Sequence, residues 1–221
     1  MIDVSTRTAM TCRITVLCLL FLGLPFIGGC AGDTPDQAAS GAAGPPPAAA
    51  STPPATTAPQ TDGANLSPIL FEAAFNGDDE TVKEMLQQGA EPNHVNENGR
   101  TALMLAAFNG HSQCVSYLLD AGAEVGLRDT MGRTALMFAS SGPFEETVLI
   151  LLENGADPLV VDSEEQFTAL MFAASEGQAN VVRALLEHGA DPAAADIDGD
   201  TALSFATMHG HAEVVGLLEG R

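Results

Sequence analysis

His209-Gly210-His211 sets two imidazoles two residues apart, which is how many metal sites begin. Zinc needs three or four ligands, and no third ligand clusters with this pair. Asp196-Ile197-Asp198-Gly199-Asp200 opens like a calcium loop. That loop requires glycine where Thr201 stands and a bidentate glutamate where Thr207 stands, so what remains is an acidic turn. His111 and His211 each follow a glycine, a pairing expected of a structural turn. Cys114 falls on the inner register of an apolar helix and reads as a small buried residue. No serine or cysteine sits in a base-bearing motif, and there is no glycine-rich phosphate loop. Catalysis, a cofactor, a metal and a small-molecule substrate are therefore not expected.

One cysteine does stand in a reactive context. Arg7 and Arg13 precede the apolar run 14–27, which ends in Ile27-Gly28-Gly29-Cys30. A basic head, an apolar core and a small-residue cleavage site make a secretory signal over residues 1–29. The run is shorter than the ~20 apolar residues of a spanning helix, and Pro25 interrupts it. Met10 could serve as the start as well as Met1, since Met10–Gly29 is already a complete signal. Ile27-Gly28-Gly29-Cys30 resembles the lipobox of bacterial lipoproteins. That resemblance implies cleavage before Cys30, diacylglycerol on its sulfur and acylation (palmitate among the chains) of its new amino end. Several acyl chains on one residue anchor stably, whereas one binds membranes only marginally. Ala31 rather than aspartate follows, which in such sorting favours the outer over the inner membrane. The expected location is the periplasmic side of a bacterial cell envelope.

The chain has 221 residues with 29 acids against 8 bases. Residues 67–221 hold 25 acids and six bases, a formal charge near −19. Nucleic-acid affinity rests on lysines and arginines displacing counterions, so DNA or RNA binding is excluded. A basic patch drawn to anionic lipid is excluded for the same reason, leaving the lipid on Cys30 as the only expected membrane contact. Residues 30–66, with seven prolines and eleven alanines after Cys30, cannot bury enough apolar surface to fold. They read as a tether reaching at most ~110 Å at ~3.1 Å per residue.

The elements that position everything else come from repetition. Thr-Ala-Leu recurs at Thr101, Thr134, Thr168 and Thr201, and one more step back lands on Pro68. Gly89-Ala90, Gly122-Ala123, Gly155-Ala156 and Gly189-Ala190 recur in the same phase, which sets units 68–100, 101–133, 134–167, 168–200 and a short 201–221. Threonine caps a short helix with a small-residue face, and glycine turns the chain. A second helix follows with apolar residues at helical spacing, as in Val181-Val182-x-x-Leu185-Leu186. Asn98-Gly99 and Asp198-Gly199 signal hairpins between units. The third unit departs, with Gly142-Pro143 in its inter-helix turn and one extra residue in 162–167, where the turn glycine is missing.

The pattern resembles the ankyrin repeat, and residues 67–221 are expected to form an all-α solenoid of about four and a half such repeats, helix-turn-helix pairs joined by β-hairpin loops. The family's signature proline and histidine are replaced by alanine and by Met104, Met137, Met171 and Ser204, so methionine packing should substitute for the histidine's hydrogen bonds.

Ankyrin proteins bind partners with their first helices and finger tips, which nominates positions by register. On the first helices these are Phe75, Asn76, Phe108, Asn109, Ser141, Gly142, Ser175, Glu176, Met208 and His209. On the fingers they are Glu97, Asn98, Arg100, Thr130, Met131, Arg133, Glu164, Glu165, Phe167, Ile197, Asp198 and Asp200. Phe75, Phe108, Met131, Phe167 and Met208 carry most weight as apolar residues at nominally exposed sites. Phe138, Phe172 and Phe205 point inward and should be core. The resulting expectation is an envelope module that binds a protein with a basic surface, either inhibiting or assisting an envelope enzyme. The rival is a spacer lipoprotein without a specific partner.

Overall fold

The structure, a computed structural model, describes residues 66–220. The signal over 1–29, Cys30 and the tether as far as residue 65 lie outside the described residues. Ten helices run in five pairs among the described residues. They are α1 (Ser67–Asn76) with α2 (Asp79–Gln87), α3 (Ala102–Phe108) with α4 (Ser112–Asp120), and α5 (Ala135–Ser140) with α6 (Glu145–Glu153). The last two pairs are α7 (Ala169–Ser175) with α8 (Ala179–Glu187), and α9 (Ala202–His209) with α10 (Ala212–Glu219). Each helix packs on its pair-mate, first helices pack on first helices and second on second, so two parallel rows are built.

Helices of six or seven residues, as α3, α5 and α7 are, do not form alone in water. Two things hold them. The hydroxyls of Thr101, Thr134, Thr168 and Thr201 accept hydrogen bonds from the backbone N–H three residues on, capping all four helices that begin this way. Burial does the rest: Ala102, Ala106 and Ala107 of α3 are fully buried, as are Ala173 and Ala174 of α7, which lets neighbouring helices approach closely. Met104, Met137 and Met171 are buried at the position of the family histidine. The Met171 sulfur also accepts the Thr168 N–H at 3.5 Å, and Ser204 Oγ accepts the Thr201 N–H at 3.3 Å. Phe138, Phe172 and Phe205 lie in the core as expected.

The turns inside the pairs show what the third unit's irregularity does. Gly110 adopts φ +72°, and a Cβ there would sit 2.1 Å from the Phe144 ring. His111 packs in the same way on Gly77 and reaches back to the Phe75 carbonyl at 3.1 Å through Nε2. In the third unit Phe144 takes this place, covering Gly110 without a ring nitrogen to offer. Its turn, through Ser141-Gly142-Pro143, stays right-handed at Ser141.

The fingers are held by side chains rather than by strands. Oδ1 of Asn96 accepts from the N–H groups of Asn98 and Arg100, and Oδ1 of Asp129 from those of Met131 and Arg133. Asp196 does the same for Asp198 and Asp200. This explains the calcium-loop resemblance: the leading aspartate serves its own turn. Ala195 and Thr201 form the one antiparallel bridge found among the described residues. Successive tips are tied by Thr130 N–H to Asn98 O, Ser163 N–H to Met131 O and Ile197 N–H to Glu165 O, all in equivalent register.

The third finger needs one more residue to make the same turn. Asp162 Oδ1 accepts from Glu165 and Phe167, and Gln166 adopts φ +60° where the other fingers have Gly99, Gly132 and Gly199. A side chain in the left-handed region costs roughly 1–3 kcal/mol, and part of any gain from glycine is lost to unfolded-state entropy. Gln166→Gly is therefore expected to stabilise the chain by about 0.5–1 kcal/mol, read as a higher urea midpoint. A lowered midpoint would contradict the strain.

Candidate protein-interaction face

The first helices and fingers carry two kinds of side chain where a partner contact was expected. Phe75 near the end of α1 and Met208 near the end of α9 are 43 % and 45 % exposed. Asn76, Glu97, Asn98, Thr130, Glu164, Glu176 and Asp198 are also exposed, and Ile197 stands at its finger tip 53 % exposed. Phe108 and Met131 are half-buried, with the Phe108 ring edge-on to Phe138 at 6.2 Å. Asn109 donates to the Phe75 carbonyl at 2.7 Å, and His209 Nδ1 lies 3.0 Å from the Ser175 carbonyl, so these two brace the neighbouring unit.

Four nominated residues are not on the surface: Gly142 and Ser175 beside the first helices, and Arg133 and Phe167 on the fingers. Arg133 is only 4 % exposed, because Asp129 Oδ2 accepts from both its Nε at 3.1 Å and its Nη2 at 2.8 Å. Phe167 is 6 % exposed, its ring centroid 5.5 Å from Phe172 and 5.0 Å from Phe205. Both precede the capping threonine of the next unit, and both cover an aromatic ring on a first helix: Arg133 lies 4.9 Å from the Phe138 centroid. This position faces inward by packing, so neither residue is an accessible contact.

Arg100 occupies the same register one unit earlier and differs. Its guanidinium lies over Phe138 at 5.2 Å, with Nε 3.6 Å from Asp129 Oδ2, too long for a hydrogen bond. Burial first, and then repulsion by Arg133, hold its pKa below the ordinary arginine value despite the attraction of Asp129.

The family model for ankyrin repeats (three copies) matches residues 70–162 and 145–220. The chain belongs to the ankyrin-repeat family. No curated protein matches it. Ankyrin repeats are protein–protein interaction modules and are generally not enzymes, so the face formed by these first helices and fingers is where binding is sought. Among the described residues no group of three histidine, cysteine or acidic side chains is placed to hold a metal ion. His209 and His211 both turn to the Ser175 carbonyl instead, at 3.0 and 2.9 Å. No helix among the described residues is long and apolar enough to cross a membrane.

Sequence reasoning passes over Ile69, which is 47 % exposed. Its equivalents Ala102, Ala135, Ala169 and Ala202 are all buried. Aligning the units would have found it, because among the described residues no preceding repeat covers that position in the first unit. Cys114 is fully buried and donates from its sulfur to Asp79 Oδ1 at 3.0 Å. Burial, followed by the Asp79 hydrogen bond and charge, pushes its pKa up to about 12. The folded thiol is expected to resist iodoacetamide at pH 8, with label at Cys114 appearing only on unfolding, as read by peptide mass spectrometry. Between the ordinary thiol value of 9.0 and about 12 the unfolded chain gives up this proton first, so this group lowers stability as pH rises through that window.

Proposed function

We propose that this ankyrin protein is a lipid-anchored module of the bacterial cell envelope that captures a protein partner on its first-helix and finger face. The observation that carries the binding half is the exposure of Phe75 and Met208 on the first helices of the first and last units, with acidic finger tips beside the array. Large apolar side chains left in water on a binding array mark positions for contact with a partner. A formal charge near −19 over residues 67–221 favours a partner with a basic surface and an association rate that falls with salt. The anchoring half is supported by Ile27-Gly28-Gly29-Cys30 at the end of the apolar run, with outer-membrane retention on the periplasmic side. The partner would be an envelope enzyme that the module inhibits or assists.

Two measurements test the halves separately. Cys30→Ala should abolish acyl labelling and release the chain from the membrane fraction; unchanged retention would remove the anchor from the proposal. A photo-crosslinking side chain at position 75 or 208 should yield the same crosslinked species, and one at Gln87 on a second helix should not. Equal crosslinking from all three positions would leave the spacer reading in place of a specific partner.

A further inference from the structure

The finger bases of the first two units bring two guanidiniums to one carboxylate. Asp129 is already saturated, since Oδ1 accepts two backbone N–H groups and Oδ2 accepts two hydrogen bonds from Arg133. Arg100 is left with a longer ion pair, its Nε 3.6 Å from Asp129 Oδ2. Its side chain is 14 % exposed, its Nε is buried without a hydrogen-bond partner, and its guanidinium donates no hydrogen bond among the described residues. Phe138 lies beneath it, and the half-buried Phe108 stands edge-on to that ring. A guanidinium held over an aromatic ring, with its terminal amino groups donating no hydrogen bond, is a preorganised fork for a carboxylate. It also carries the unbalanced positive charge of this cluster on a domain that is otherwise strongly acidic.

We infer that Arg100, seated on Phe138 beside Phe108, is a docking site for a single carboxylate side chain, aspartate or glutamate, of the protein partner. This rests on the protein-binding reading and sharpens it: the partner presents a mainly basic surface carrying one acidic residue that enters between the first two fingers and the first-helix row. The basic surroundings of that residue meet the exposed Glu97, while its carboxylate takes both terminal amino groups of Arg100. The arrangement gives register as well as attraction, because a like-charged or neutral side chain at that point leaves those amino groups unpaired.

The test uses the full chain and glutarate as the probe, with the neutral glutaramide as control, and follows the Arg100 Nε–Hε signal by NMR. Saturable displacement by glutarate and not by glutaramide is expected. Arg100→Lys, which keeps the charge and loses the planar fork, should weaken glutarate binding about tenfold, judged from backbone shifts around Phe138. Arg100→Gln should abolish it with the thermal midpoint nearly unchanged. Equal responses to the two probes, no saturable response, or glutarate binding that persists in Arg100→Gln would each overturn the site. Because no partner protein enters this measurement, a specific crosslink at position 75 alongside a failed titration would leave the binding module standing and remove only its carboxylate site.

Discussion

Asp129→Ala is expected to cost about 3–5 kcal/mol. Removing one member of a buried charge cluster leaves the other charges uncompensated, and that is where losses of this size arise. Here two guanidiniums would remain over Phe138, and the N–H groups of Met131 and Arg133 would lose their acceptor. The consequences extend beyond the finger, because its tip is bonded to the tips on both sides through Thr130 and Ser163. In a stack stabilised by nearest-neighbour interfaces, a weakened second unit separates the first unit from the rest. Urea denaturation should therefore show a lower and broader transition. Asp129→Asn separates the causes: Asn96 makes the same two turn bonds in the first finger, so asparagine keeps the turn and loses the ion pair. It should fall between wild type and Asp129→Ala. The loss should survive 0.5 M salt, since a buried pair is little screened. Wild-type stability in both variants would show that the cluster contributes nothing.

The contrast between Asp129 and the rest of the finger shows how far the chain can be read without coordinates. Repeat phase, capping threonines and the inward set Phe138, Phe172 and Phe205 follow from spacing, because a periodic pattern places each residue relative to its copies. What spacing does not disclose is which side chains at one register pair with each other. Arg100, Arg133, Phe167 and Asp200 all immediately precede a capping threonine, yet they are a loosely paired guanidinium, a locked one, a core ring and a half-buried acid. Their fates depend on the residue four beyond that threonine in the same or the next unit. Where it is Phe138, a guanidinium can lie on it; where it is Phe172 with Phe205 beyond, only another ring fills the space. Charge and polarity averaged over a finger tip hide that dependence. The acidic triplet at Asp196 reads correctly as a turn, yet its first carboxylate is consumed by local N–H groups that no motif records.

Phe167→Ala carries this argument to its second large effect. Phe167 enters from the third finger and joins Phe172 of the fourth unit to Phe205 of the fifth, three rings across three units. Truncating a buried phenylalanine removes its transfer free energy and leaves a cavity, typically 3–5 kcal/mol in all. The short fifth unit depends on this joint, since α10 is its last helix among the described residues and Glu219 on it faces water. The expected result is a lower urea midpoint, with hydrogen exchange of α9 and α10 amides accelerated more than that of α3 and α4. Phe75→Ala supplies the opposite case. Its ring is already 43 % in water, so truncation should change stability by less than about 0.5 kcal/mol. Partner capture should respond in reverse, strongly to Phe75→Ala and to Phe167→Ala only as far as the folded population falls. Binding lost in Phe167→Ala at full stability would return that ring to the surface, and with it the simpler view that every aromatic near a finger tip is there to be met by a partner.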